Sequence, residues 1–232
     1  MTTGKPDLSN LQGVAFDFDG TLAETHINFA KMRRCIIEHL QRWDVWEDGM
    51  DDGRYVLDII DMGADALGDA PDRVAEFRAE ADRILEQIEI ETCVTAEPFP
   101  GVPEALDDLR SHGLKVAIVT RNCRAGVQSV LSRHHLHYDV LLTRDDVHLV
   151  KPDPFHLAEA VRLMGVDPRR TVMIGDHISD IQGADGLGVI TIGVLTQKTT
   201  TEQFQEVGAD AVLPDVPTVV KAIIEARGCA SV

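Results

Sequence analysis

Five short apolar runs divide the chain: Val14 to Phe18, Val116 to Val119, Val140 to Leu142, Val172 to Ile174 and Val189 to Val194. They are rich in valine and isoleucine and nearly continuous, the pattern of strands buried on both faces of a parallel sheet. Ala211 to Leu213 makes a weaker sixth run. Between the later runs, apolar positions recur at helical spacing. Pro103–Ser111 carries Ala105, Leu106 and Leu109, Ala125–His134 carries Val127, Val130 and Leu131, and Pro154–Met164 follows the third run. Strand and helix in alternation predict an α/β fold, a Rossmann-like, doubly wound parallel sheet.

One interval breaks the alternation. Between Thr25 and Pro98 the periodicity is helical throughout, in Phe29–Trp43, Arg54–Met62 and Pro71–Ile90, with Gly49, Gly53, Gly63 and Gly68 as punctuation. This stretch is too long for a loop and predicts a small all-helical second domain over 25–98, inserted into a core made of 1–24 and 99–232. Glu97-Pro98-Phe99-Pro100-Gly101-Val102-Pro103 is expected to be a stiff, helix-poor linker on the way back.

Composition narrows the function. At 232 residues, with 44% hydrophobic and 26% charged positions, the chain is an ordinary globular protein able to bury a full core. Its 22 Lys+Arg against 39 Asp+Glu leave a net charge of −17, which repels nucleic-acid phosphate and anionic lipid, so neither nucleic acid nor membrane is expected as a partner. No apolar run reaches the roughly 18 residues of a membrane span and the first residues lack a signal-like apolar stretch, which predicts a cytoplasmic protein. Cys35, Cys93, Cys123 and Cys229 form no C-x-x-C pair and are expected to be reduced, without catalytic consequence. Nothing in the pattern specifies an oligomeric state.

The chemistry collects at strand ends. Asp17-Phe18-Asp19-Gly20-Thr21-Leu22 follows the first run, and Thr120-Arg121-Asn122 follows the second. Lys151-Pro152-Asp153-Pro154 comes after the third and Gly175-Asp176-His177-Ile178-Ser179-Asp180 after the fourth. In an open α/β sheet the ligand crevice lies beyond the carboxyl ends of the strands, so all four groups can converge. Taken singly, each has a plainer reading as a turn, a helix cap or a surface charge.

In order and spacing these four motifs resemble the haloacid dehalogenase-like hydrolase superfamily in its capped phosphatase branch, and the likeness runs from Gly13 to about Leu213. The resemblance implies a Rossmann-like core with a helical cap after the first motif. It also implies a Mg²⁺-dependent phosphatase acting on a small phosphorylated metabolite, with Asp17 as nucleophile and Asp19 as general acid and base. Asp17, Asp176 and Asp180 would bind the metal, Asp19 would add its backbone carbonyl, and Asp180 would often act through water. Thr120, Arg121, Asn122 and Lys151 are the candidate phosphate ligands.

Further detail bears on the substrate. By the same resemblance, dehalogenases of the superfamily lack the second aspartate because they have no leaving alkoxide to protonate, so the presence of Asp19 implies a phosphate ester. Thr21-Leu22-Ala23-Glu24-Thr25 is similar to the subgroup acting on phosphoglycolate and sugar phosphates. Arg33, Arg34, Arg42, Arg54 and Arg73 are candidate contacts to a second anionic group, while Trp43 and Trp46 are read as packing of the insert or as a platform for substrate. A phosphomutase using the same aspartyl-phosphate, and a catalytically idle binding or regulatory protein on the same fold, are the alternatives. His134, His135 and His137 read as a helix terminus and His177 as part of its loop.

Overall fold

The computed structural model describes residues 6–229, and the chain separates into two compact units. One is built from the chain up to His26 and from Cys93 onward, the other from Ile27–Thr92.

The first unit is organised on a six-stranded parallel sheet. Its strands are β1 (Gly13–Phe16), β4 (Lys115–Val119), β5 (Val140–Leu142), β6 (Thr171–Gly175), β7 (Ile190–Val194) and β8 (Ala211–Leu213). They lie in the order β5-β4-β1-β6-β7-β8, so the direction of winding reverses at β1. Val14 pairs across to Val116 on one side and to Val172 on the other. A ligand crevice is expected at that reversal, beyond the carboxyl ends of β1 and its neighbours.

Both faces of the sheet are covered, which is why its strands read as continuous apolar runs. Val14, Phe16, Ile118 and Ile174 pack with helices α4 (Val102–Ser111), α5 (Arg124–Arg133) and α9 (Val216–Cys229) through Leu106, Leu109, Val127, Val130, Val219 and Ile223. Ala15, Ala117, Val119 and Met173 point the other way, onto α6 (Pro154–Met164) through Leu157, Ala160 and Val161. Alanine at the two central positions lets α6 approach the sheet closely.

The second unit holds α1 (Phe29–Arg42), α2 (Val56–Ala66) and most of α3 (Pro71–Cys93). Met32, Ile36 and Leu40 recur every four residues on α1 and meet Ile59, Ile60 and Ala64 of α2 and Phe77, Ala81, Leu85 and Ile88 of α3. His39 is buried among them, stacked on Phe77 at 4.5 Å with its Nε2 3.0 Å from the Phe77 carbonyl, and burial holds its pKa below the ordinary value. Trp43 packs against the same cluster and donates from Nε1 to Glu80 at 3.0 Å.

Where the sequence predicts only a linker, the structure has a ribbon. Ala23–Glu24 (β2) pairs antiparallel with Glu97–Pro98 (β3), and the Phe99 N–H donates to the Leu22 carbonyl at 3.0 Å. The apolar run of β1 outlasts its strand, because the Phe18 carbonyl turns to accept from the N–H groups of Thr21, Leu22 and Ala23. Among the described residues no helix is long and apolar enough to cross a membrane.

Candidate active site

The tight loop after β1 carries Asp17 and Asp19, and its bend depends on Gly20 at φ +86°. A side chain there would place Cβ 2.6 Å from Asp176 Oδ2, so glycine serves both the left-handed turn and the close approach of the next motif. Thr21 then locks the two loops together: its hydroxyl donates to Asp176 Oδ1 at 2.7 Å and accepts from the Asp176 N–H at 3.0 Å. At the end of β6, a side chain on Gly175 would run into the Asp180 carboxylate.

Three carboxylates meet in this crevice. One oxygen from each of Asp17, Asp176 and Asp180 lies within 4.8 Å of the others. Lys151 reaches in from the segment after β5, 1% exposed, and its Nζ donates to Asp17 Oδ1 and Asp180 Oδ1, each at 2.7 Å. The His177 N–H donates to the other Asp180 oxygen at 3.1 Å. Lys151 is itself steadied by His156 on α6, whose Nδ1 lies 3.4 Å from the Lys151 N–H. Burial, with Lys151 next, pushes the pKa of His156 down to about 3, so it is neutral and its Nδ1 can accept.

Asp19 is held separately. It accepts from the Thr120 hydroxyl at 3.1 Å and from Asn122 Nδ2 at 2.8 Å, both beyond the end of β4. Thr120 and Asn122, expected to face a phosphate, thus have Asp19 as their immediate partner. Arg121 is half-buried between them in sequence, its carbonyl accepts from Arg144, and its charge opposes protonation of His156 and His177. The sequence motifs do not reveal Thr21 or His156 as supports, and only the folded neighbourhood identifies them.

Burial and mutual repulsion dominate the electrostatics of the cluster. Burial pushes Asp17 up to about 7, with Asp180 and Asp19 adding to the rise and Lys151 opposing it. Asp176 is pushed up to about 8 by burial and then by Asp17 and Asp180. Burial also raises Asp19, against the hydrogen bonds from Thr25, Asn122 and Thr120. For Lys151 burial works against the ammonium, yet the carboxylates of Asp17 and Asp180 hold its pKa above the ordinary value. Four carboxyl groups against one ammonium leave surplus negative charge on hard oxygen donors, which suits a small divalent cation.

Comparison with known proteins agrees with this arrangement. Residues 14–194 match the family model described as haloacid dehalogenase-like hydrolase. A phosphoglycolate phosphatase of Caulobacter vibrioides is 32% identical over 94% of this chain and 93% of its own length. The pyrophosphatase PpaX of Halalkalibacterium halodurans is 29% identical over 92% of this chain and 98% of its own. A solved structure described as a haloacid dehalogenase-like hydrolase, from Bacteroides fragilis, superposes with a TM-score of 0.68 at 25% identity, covering 90% of this chain and 99% of that one. The motifs at the strand ends, the parallel sheet that brings them together and these relatives lead to one assignment: the chain belongs to the haloacid dehalogenase-like hydrolases, and among them to the phosphatases.

Proposed function

We propose that the protein is a Mg²⁺-dependent phosphatase that hydrolyses a small-molecule phosphate monoester, phosphoglycolate-like or a sugar phosphate, through an aspartyl-phosphate on Asp17. The observation that carries this reading is the separation of two carboxylates two residues apart. Lys151 takes Asp17 Oδ1, which opposes the protonation that burial favours there and fixes the rotation of the side chain, whereas Asp19 sits among neutral donors, and burial raises it toward the acid form.

The roles follow from that difference. An Asp17 oxygen attacks phosphorus, the bond from phosphorus to the leaving oxygen breaks, and Asp19 delivers its proton to that oxygen. Water then attacks the aspartyl-phosphate, Asp19 takes the proton back, and free phosphate leaves with Asp17 restored. Lys151 lies against Asp17 and offsets charge repulsion as the phosphate approaches. Mg²⁺, held by the carboxylates of Asp17, Asp176 and Asp180 and by the Asp19 carbonyl, would supply charge neutralisation at the phosphoryl oxygens.

The direct test is a panel of phosphorylated metabolites, inorganic pyrophosphate included, assayed with Mg²⁺ against an Asp17→Asn control. Release of phosphate from one or a few monoesters is expected. Release no greater than the control across the panel would overturn the reading. A hexose phosphate returned as its isomer, without free phosphate, would assign a phosphomutase instead.

The raised carboxylates also fix a pH dependence. Asp17 and Asp176 retain protons in the folded protein up to about 7 and about 8, whereas their ordinary value is 3.8. The folded state therefore binds more protons across that window, and stability without metal declines as pH rises through it. Mg²⁺ takes the deprotonated carboxylates, so its gain in melting temperature should be larger near about pH 8.5 than near about pH 6. Equal gains at both would mean that these groups do not bind it.

Choice of substrate is assigned to the helical unit. A site that positions only a phosphoryl group cannot tell one monoester from another, so discrimination falls to residues touching the leaving group. The chain departs for that unit after β2, a few residues beyond Asp19, and returns through β3. Replacing residues 27–92 by a short Gly/Ser linker should spare hydrolysis of p-nitrophenyl phosphate while erasing preference among metabolites. A folded deletion variant that kept the parent's ranking would place specificity in the core.

A further inference from the structure

Two buried thiols stand directly behind the residue that holds Asp19. Cys93 is the last residue of α3 and Cys123 is the N-cap of α5; both are buried and neither is in a disulfide. They converge on Gly126, in the first turn of α5. A Cβ built there would lie 3.1 Å from the Cys93 sulfur, 3.3 Å from the Cys123 sulfur and 3.4 Å from Asn122 Oδ1. The two sulfurs and the Asn122 carboxamide thus border one small space that glycine leaves open.

Asn122 links that space to the acid. Its Nδ2 donates to Asp19 Oδ1 at 2.8 Å and lies 3.8 Å from Cys93 Sγ, while its Oδ1 accepts from the Cys123 N–H at 2.7 Å. The Cys123 sulfur accepts from the Gly126 N–H at 3.4 Å, at the start of a ten-residue helix. Burial works against charge on the Cys123 sulfur, and the Gly126 N–H and the positive end of the helix work for it; the thiolate is the reactive form of cysteine. Cys93 supplies the second thiol needed to resolve an oxidised one.

We propose that Cys93 and Cys123 are a site of oxidative modification, by which hydrogen peroxide turns the enzyme down and a dithiol restores it. The proposal rests on the reading of Asp19 as proton donor and acceptor. The Cys123 thiolate attacks one peroxide oxygen, the O–O bond breaks, and the departing hydroxide takes a proton to become water. The Cys93 sulfur then attacks the resulting sulfenic acid, whose hydroxyl leaves with the Cys93 proton as a second water. Two thiols are oxidised to one disulfide and one peroxide is reduced to two waters. Drawing two non-bonded sulfurs to about 2.05 Å pulls residues 93 and 123 together. Asn122 sits against both, so its carboxamide shifts and Asp19 loses one of the donors that hold it.

The test uses the full chain carrying Cys35→Ser and Cys229→Ser, treated with hydrogen peroxide. Peptide mapping without reduction is expected to find Cys93 joined to Cys123, in a yield that tracks a loss of p-nitrophenyl phosphate hydrolysis of about tenfold or more. Dithiothreitol should restore the rate. Cys93→Ala and, separately, Cys123→Ser, which keeps an acceptor for the Gly126 N–H, should retain basal activity and resist peroxide. Absence of the linked peptide, a linked protein of full activity, or peroxide sensitivity unchanged in both variants would each overturn the proposal. Mapping reads the bridge without turnover, so a chain inactive on every phosphate ester before oxidation would count against the phosphatase reading alone.

Discussion

Asp17→Asn is expected to abolish turnover while the protein stays folded. The amide is nearly isosteric with the carboxylate but cannot form an acyl phosphate, and losses for groups of this kind reach about 10²-fold or more. Folding should not suffer, because the change replaces a carboxylate that burial disfavours, and that adds to the rise at Asp176, with a neutral amide. At neutral pH without metal the variant should melt no lower than the parent. Its gain from Mg²⁺ should shrink, since one ligand is gone. Steady-state phosphate release and thermal melts with and without Mg²⁺ check both halves. Retention of more than a few per cent of the parent rate would remove Asp17 as nucleophile.

Lys151→Ala should damage both activity and stability. Its ammonium is the shared donor to Asp17 and Asp180, and the side chain is almost completely enclosed. Removing one partner of such a buried cluster costs about 3–5 kcal/mol, because the remaining charges lose their compensation. The carboxylates can escape part of that cost by taking up protons, so the loss should be greater at pH 8 than at pH 6. Lys151→Met, which keeps most of the stem without the charge, separates lost packing from lost charge. Urea unfolding at the two pH values, together with kcat and KM, measures the effects. A Lys151→Met protein as active and as stable as the parent would take Lys151 out of the site.

Much of this architecture is legible in the order of residues. Strands covered on both faces need apolar side chains at every position, so β1, β4, β6 and β7 stand out as unbroken runs. The regular return of Met32, Ile36 and Leu40 announces α1 in the same way. Helix α9 carries a comparable signal in Val219, Val220 and Ile223, weakened because no further strand follows to complete the alternation. The β2–β3 ribbon gives none, because two residues per strand, one of them Pro98, are too few to show a period.

The site divides along the same line. Aspartates and a lysine at strand ends are visible as motifs, and the reversal of strand order at β1 explains why they meet. Which donor serves which carboxylate is not encoded in spacing. Thr120 and Asn122 bond Asp19, and Thr21 bonds Asp176, across more than a hundred residues of chain. His156 likewise looks like one polar residue on a helix until α6 packs it beneath Lys151.

The covalent role proposed for Asp17 can be tested directly. The protein, turning over p-nitrophenyl phosphate in Mg²⁺, is quenched in acid and reduced with borohydride, which converts an acyl phosphate to the alcohol, and the peptide containing residue 17 is then sequenced by mass spectrometry. Homoserine is predicted at position 17 during turnover, and at no position in the resting protein or in Asp17→Asn. Turnover that leaves aspartate at position 17, or that labels another carboxylate, would contradict the mechanism.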